Sequence, residues 1–115
     1  MGIVYLINNG ITDRYKIGVS KKPPQRLRGL QTGNPENLTL IDYYESDIYQ
    51  NIETVLHRTL KHKKYIPEDF RMLKGEWFIL NNEDVMNFKK SCEKIEDSIK
   101  HLKEHSSLDI NKFLH

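Results

Sequence analysis

The sequence predicts a small α+β domain, and three features of the chain indicate this fold class. Two short apolar runs near the start are joined by a polar, turn-forming segment, which is typical of a pair of strands. Later stretches carry apolar residues every three or four positions, which is the spacing of amphipathic helices. The length of 115 residues suffices for one modest hydrophobic core.

The first two elements are strands, predicted at residues 3–8 and 14–20. The polar stretch between them contains Gly10 and favours a hairpin-type connection. Because side chains alternate along a strand, the first strand divides its apolar residues between two faces: Val4 and Leu6 on one, and Ile3, Tyr5 and Ile7 on the other.

The next two elements are a short helix and a third strand. Pro23 and Pro24 suit a helix start, so residues 25–30 are predicted to be helical, and the turn-forming residues 32–35 end that helix. Residues 38–45 then form the third strand.

A second helix is predicted from an N-cap at Asp47 to about Lys63. Its apolar stripe consists of Ile48, Ile52, Val55, Leu56 and Leu60. Residues 65–75 follow as a loop, and residues 75–80 as a short apolar strand or buried segment.

The last predicted element is a long helix over about 83–104, capped by Asn82. Its apolar residues form a heptad seam, with spacings of three and four: Val85, Phe88, Cys92, Ile95, Ile99 and Leu102. One interpretation packs this helix on its own domain, with Val85 to Ile95 in the core. The other brings a second chain against the outer end, which makes a homodimer through Ile95, Ile99 and Leu102. The tail after it could fold back or join that interface.

Composition excludes several classes of protein. The single cysteine, Cys92, excludes an internal disulfide and a zinc site made of several thiolates. No apolar run approaches the roughly 18 residues of a membrane span, and the start of the chain lacks a signal-peptide pattern. We therefore expect no membrane partner and an intracellular location, in the cytoplasm of a host or of a bacterial cell, with the nucleus or a viral factory as alternatives.

Basic residues cluster in two stretches, although the net charge is only +2. Residues 1–33 contain six lysines and arginines and one acid, and residues 57–65 contain four and no acid. If the two stretches lie side by side, they form a phosphate-binding face. The alternative is an ordinary solvated surface with scattered charge.

Several short motifs occur in a fixed order: Gly2-Ile3-Val4-Tyr5, Tyr15-Lys16-Ile17-Gly18, Arg26 with Gly33-Asn34-Pro35, Glu53 with His57, and Gly75-Glu76-Trp77-Phe78. Over residues 2–80 this order and spacing resemble the GIY-YIG endonuclease superfamily. Lys16 stands where the superfamily usually has tyrosine, and a phage-associated branch shares this departure. The resemblance implies a small antiparallel sheet of about three strands flanked by helices, with residues 1–80 as the nuclease-like domain and 81–115 as a helical extension.

The resemblance also implies metal-dependent hydrolysis of DNA. Tyr5 is the implied general base, Lys16 its electrostatic helper that lowers the pKa of the phenol, and Arg26 the phosphate clamp. Glu53 is the implied metal ligand, with His57 in support. Magnesium is expected because the site offers few, hard oxygen ligands, and manganese is the second choice. Further contacts to DNA are expected from Gly18, which leaves room for the substrate backbone, and from Lys21, Lys22, Arg28 and Lys61, with Tyr15 and Glu76 as accessory residues.

Other interpretations of the same residues remain open. Tyr5 is also compatible with an ordinary strand aromatic, and Glu53 with His57 with an ordinary helical pair. At the level of the whole chain, the alternatives are a nucleic-acid-binding or dimerising module without turnover, and a protein adaptor built on the last helix.

Overall fold

The computed structural model describes residues 1–10, 13–22, 38–66 and 77–105, with the backbone alone at 104 and 105. Its elements, in chain order, are β1 (Gly2–Asn8), β2 (Arg14–Ser20), β3 (Thr39–Ser46), α1 (Tyr49–Thr59), a 3-10 turn (Lys61–Lys63), β4 (Lys64–Tyr65), β5 (Trp77–Ile79), α2 (Asn82–Met86) and α3 (Phe88–His105). The predicted α+β class is confirmed. The helix predicted at 25–30 lies outside the described residues.

The sheet has five strands in the order β3-β1-β2-β5-β4, and every neighbouring pair is antiparallel. The prediction of about three strands is therefore too low. The two additional strands are short: β4 has two residues, placed at a predicted helix end and loop start, and β5 has three. Strands of this length contain too few residues to show alternation, and pairing with their neighbours defines them.

A tight connection closes the β1–β2 hairpin, as predicted. Asn8 anchors both sides of it, because its side-chain amide donates to the Arg14 carbonyl at 3.0 Å and its side-chain oxygen accepts from the Gly10 N–H at 2.7 Å. The β1–β2 register then runs from Ile3 opposite Ser20 to Asn8 opposite Tyr15.

The two faces of β1 enter different apolar clusters, as the alternation predicts. Val4 and Leu6 belong to the main core, which fills the space between the sheet and the helices. That core also contains Ile17, Phe78 and Leu80 around the sheet, Tyr49, Ile52 and Leu56 of α1, and Phe88 and Cys92 of α3. On the opposite face, Ile3, Tyr5 and Ile7 form a second cluster, against which Leu38 and Leu40 pack.

Helix α1 begins at Tyr49, and its N-terminus has no side-chain cap at Ile48. The prediction of Asp47 as N-cap is wrong, because the Asp47 carboxylate instead meets the Lys100 ammonium at 3.1 Å. Ser46 takes part of the capping role, since its hydroxyl accepts from the Ile48 N–H at 3.1 Å. Tyr49 packs so closely on Gly2 that a methyl group there would lie 2.7 Å from the Tyr49 ring.

The segment predicted as one long helix consists of α2 and α3, separated at Asn87. Asn81 caps α2, and the prediction of Asn82 as the cap is wrong. Asn81 accepts from the Asp84 N–H at 2.8 Å, while Asp84 accepts from the Asn81 N–H at 3.1 Å. Burial favours a higher pKa for Asp84, but hydrogen bonds from Lys63, at 2.6 Å, and from Asn81 outweigh it and lower the pKa.

Helix α3 is fixed to β3 by polar contacts as well as by the core. The Glu96 carboxylate accepts hydrogen bonds from the Tyr44 hydroxyl, at 3.3 Å, and from the Ser46 hydroxyl. Burial, followed by the negative charge of Glu96, raises the pKa of Tyr44 to about 12. These contacts set the position of α3 along the sheet.

The heptad seam of the last helical segment meets the core over its first part. Phe88 and Cys92 are buried, and Val85 and Ile95 pack against the same core, so the predicted intramolecular packing of Val85 to Ile95 is confirmed. Leu102, at the outer end, is 59 % exposed, and its contact with another chain stays a prediction. Among the described residues, no helix combines the length and the apolar character needed to cross a membrane.

Candidate active site

Tyr5 lies across β2 at Gly18, its partner in the antiparallel register. A methyl group on Gly18 would clash with the Tyr5 hydroxyl, and it would lie 2.8 Å from a ring carbon. The prediction that Gly18 leaves room for the substrate backbone therefore needs correction, because the Tyr5 side chain fills that space. Glycine at this position allows the phenol to cross the strand.

This part of β2 is also where its pairing with β5 stops. Strand β5 pairs with β2 from Arg14 to Lys16, and no strand within the described ranges pairs with that edge over residues 17–20. The Tyr5 phenol therefore reaches over β2 at a part of the strand that has no partner on that side among the described strands.

Glu53 of α1 acts electrostatically on the same phenol. Burial is the first cause that raises the pKa of Tyr5, and the negative charge of Glu53 is the second. Lys16 was predicted to lower this pKa, whereas the net direction is upward. Tyr5 therefore holds its proton at neutral pH in this state.

His57 lies four residues after Glu53 on α1 and contacts β2 beside Gly18. Its Nε2 lies 2.9 Å from the Ile17 carbonyl oxygen, and because a carbonyl only accepts, Nε2 is the donor. The imidazole edge also packs on Phe78, with ring centres 5.1 Å apart and planes at 84°. This arrangement fixes α1 against the strand that carries Gly18, and Nε2 cannot accept a proton while it donates.

Lys16 lies on the same face of the sheet as Tyr5, because it is two residues from Gly18 along β2. It is half-buried, and its register partners are Ile7 and Trp77. Lys21 and Lys22 follow the opposite end of β2 and are exposed. The structure thus places three predicted cations along one strand and its continuation.

Two other predicted residues lie away from Tyr5. Tyr15 alternates to the opposite face of the sheet, where it packs against the main core. Lys61 is exposed in the 3-10 turn after α1. Arg26, Arg28 and Glu76 lie outside the described residues, so the predicted phosphate clamp and accessory acid stay predictions.

Glu53, the predicted metal ligand, is a described carboxylate whose charge acts on Tyr5. Within the described parts of the chain, no group of three or more histidine, cysteine or acidic side chains could enclose an ion. A single half-buried carboxylate is compatible with Mg²⁺, which keeps several waters and commonly uses one or two carboxylates together with substrate phosphates.

The contact between the two basic stretches was predicted only as a possibility. The guanidinium carbon of Arg14 lies 4.0 Å from the centre of the Tyr65 ring, so the described part of the first stretch meets the second stretch at this point. On the other face lies an open cleft of about 750 Å³, and Tyr15, Lys63 and Lys64 are among the residues that line it. No sequence motif included Tyr65. Its contact with Arg14 arises because β4 pairs with β5 and so joins the sheet.

Comparisons with known proteins give one family. A family model described as the T5orf172 domain matches residues 2–106. This match extends beyond Leu80 and includes nearly all of α3. Searches of curated proteins and of solved structures find no match.

Proposed function

Because the chain belongs to the T5orf172 domain family, we propose that it is a metal-dependent DNA endonuclease of the GIY-YIG type. The family is found in phage and endonuclease-like proteins, which supports a nuclease-like or DNA-binding module. The observation that carries the proposal is the Tyr5 phenol lying over Gly18, where the charge of Glu53 acts on it. Strand β1, strand β2 and helix α1 each contribute one part of that arrangement.

In the proposed reaction, Tyr5 first loses its own proton to solvent, and the resulting phenolate accepts the proton of the attacking water. Its raised pKa opposes this role, because a protonated phenol is a poor base. The second cause of the raised pKa is the charge of Glu53, so neutralising that carboxylate removes one of the two obstacles. A cation held by Glu53 would remove this second cause, while burial, the first cause, would still favour the protonated phenol.

Glu53 would hold that cation, with Mg²⁺ preferred and Mn²⁺ as the alternative. When bound, such an ion supplies Lewis acidity at the phosphate. Lys16, on the same sheet face as Tyr5, adds positive charge where the phosphate approaches. His57 holds α1 and β2 together through the Ile17 carbonyl and so acts as a positioning residue. Arg26 is proposed as the clamp on the non-bridging oxygens.

A second function has a specific observation in its favour. Tyr5 is buried and its pKa is raised, which suits a module that keeps the fold and binds DNA without cleaving it. Such a module would show strongly salt-dependent binding and no nicking.

A plasmid-nicking assay with Mg²⁺ or Mn²⁺ separates the two functions. We expect the wild type to nick DNA, and Tyr5→Phe, Arg26→Ala and Glu53→Gln each to reduce the rate about 100-fold or more. Tyr5→Phe keeps the ring over Gly18, so its effect reports the hydroxyl.

Matched controls are Tyr43→Phe, at the β3 partner of Tyr5, and Glu93→Gln, at an exposed position of α3. Both should cleave at the wild-type rate. Unchanged cleavage in Glu53→Gln would exclude the metal assignment. If the wild type cleaves no duplex, branched or single-stranded DNA, the chain is a binding module.

A further inference from the structure

The Arg14–Tyr65 contact spans three strands. Arg14 lies on β2 and Tyr65 on β4, with β5 between them, and the guanidinium lies 4.0 Å from the ring centre. Both side chains are half-buried, so part of each remains accessible. A flat cation over an aromatic ring at this distance is an attractive cation–π pair.

Register places this pair on the sheet face that carries the proposed site. Arg14, Lys16 and Gly18 alternate along β2 and therefore share a face with Tyr5. Neighbouring members of that row are two residues apart, which is about 7 Å along a strand. Ile79, the β5 partner of Arg14, lies beside the pair and is 44 % exposed. With increasing distance from Gly18, this face thus carries Lys16, then the Arg14–Tyr65 pair with Ile79 beside it.

The chemistry of this row matches an unpaired nucleotide. Lysine and arginine attract the phosphate backbone of any DNA. Flat surfaces such as a guanidinium or a tyrosine ring gain further affinity from a base only when that base is unstacked from its neighbours. Within a duplex the faces of the bases are covered, so this surface offers a duplex little beyond its charge.

We propose that the chain binds DNA with an unpaired segment, and that one unpaired base stacks on the Arg14–Tyr65 pair while Lys16 contacts the adjoining phosphate. The cleaved bond would then lie next to this unpaired segment, and that placement rests on the proposed function. The binding itself does not require cleavage. A purely structural role, in which Arg14 holds β4 on the sheet, would alter folding stability and leave the preference between single-stranded and duplex DNA unchanged.

The test measures fluorescence anisotropy of labelled oligonucleotides in the Glu53→Gln background, in buffer with a chelator and no divalent metal, so that metal-dependent cleavage cannot proceed. The affinities for a single strand and for the duplex of the same sequence are measured for three proteins: one with Tyr65 unchanged, Tyr65→Phe and Tyr65→Leu. We expect tighter binding of the single strand. Tyr65→Leu should weaken that binding about tenfold and leave duplex binding unchanged, while Tyr65→Phe, which keeps the ring, should stay within about twofold.

A scan with abasic sites tests the same contact without altering the protein. Affinity should fall at one position of the single strand, and Arg14→Gln should remove that positional effect. Preferred binding of the duplex, a uniform abasic scan, or an equal effect of Tyr65→Leu on both DNAs would each overturn the proposal. Tyr65-dependent binding without any nicking by the wild type would overturn the nuclease function alone, and nicking without a Tyr65 effect would overturn the stacking alone.

Discussion

Tyr5 and Gly18 depend on each other at the scale of single residues. The phenol crosses β2 only because Gly18 has no side chain, and Gly18 is covered only because the phenol lies on it. The proposed base and the glycine that leaves room for its side chain therefore form one unit. Substituting either residue should alter the position of the other more than it alters the remainder of the sheet.

We expect Gly18→Ala to lower the free energy of unfolding by about 1–3 kcal/mol, because the added methyl group overpacks against the Tyr5 ring. In a Tyr5→Ala background the ring is absent, so the same substitution should cost less than about 0.5 kcal/mol. Urea unfolding of the four proteins in this cycle measures the coupling. Equal costs of Gly18→Ala in both backgrounds would show that the ring does not occupy this space.

His57 illustrates what the sequence could and could not predict about the site. Its four-residue spacing from Glu53 correctly placed both on one face of α1. The donation of its Nε2 proton to the Ile17 carbonyl joins residues 40 positions apart. No local pattern encodes such a contact, since it depends on how α1 packs across the sheet. The same applies to the raised pKa of Tyr5, which results from burial.

At the scale of elements, the start of α2 shows how adjacent candidates are distinguished. Asn81 and Asn82 are equally good capping residues by type. The choice depends on which of them is followed by an acid at the third helical position, and Asp84 completes this pair with Asn81. A cap assigned from residue type alone, without its reciprocal partner, is therefore placed one residue too late here.

We expect Asn81→Ala to lower the free energy of unfolding by about 1 kcal/mol, because it removes the acceptor for the Asp84 N–H. Asn82→Ala is the matched control, and at this exposed position it should change stability by less than about 0.5 kcal/mol. Denaturant unfolding of both variants measures the difference. The reverse order of effects would place the cap at Asn82.

Long elements were predictable and short ones were not. Strands β1 to β3 match their predictions to within one residue at each end, because each is a run of seven or eight residues with a clear apolar or alternating pattern. Strand β4 exists only through its pairing with β5. That pairing brings Tyr65 under Arg14. The strand that the sequence did not predict is therefore also the one that completes the proposed binding surface.

At the scale of the whole molecule, α3 belongs to the same core as the sheet. Phe88 and Cys92 are buried with Val4, Leu6 and Phe78. Removing everything after Leu80 would therefore expose the main core, and loss of a binding partner by such a truncated chain would not distinguish an adaptor from an unfolded protein.

We expect residues 1–80 alone not to fold cooperatively. Loss of one buried phenylalanine costs about 3–5 kcal/mol, and the whole stability of a domain is about 5–15 kcal/mol. Circular dichroism during urea unfolding tests this. A chain of residues 1–105 serves as the control and should unfold cooperatively, because it retains every core residue described. A sharp unfolding transition for residues 1–80 would show that α3 is dispensable.

The burial of Cys92 gives this chain a built-in probe of local opening. It is the only cysteine, it is fully buried between α3 and the sheet, and burial raises the pKa of its thiol to about 12. A thiol-specific reagent therefore reacts only after α3 lifts from the sheet. The labelling rate, compared with that of the unfolded chain, reports how often this happens in the unaltered protein, and a DNA that holds α3 in place would slow it.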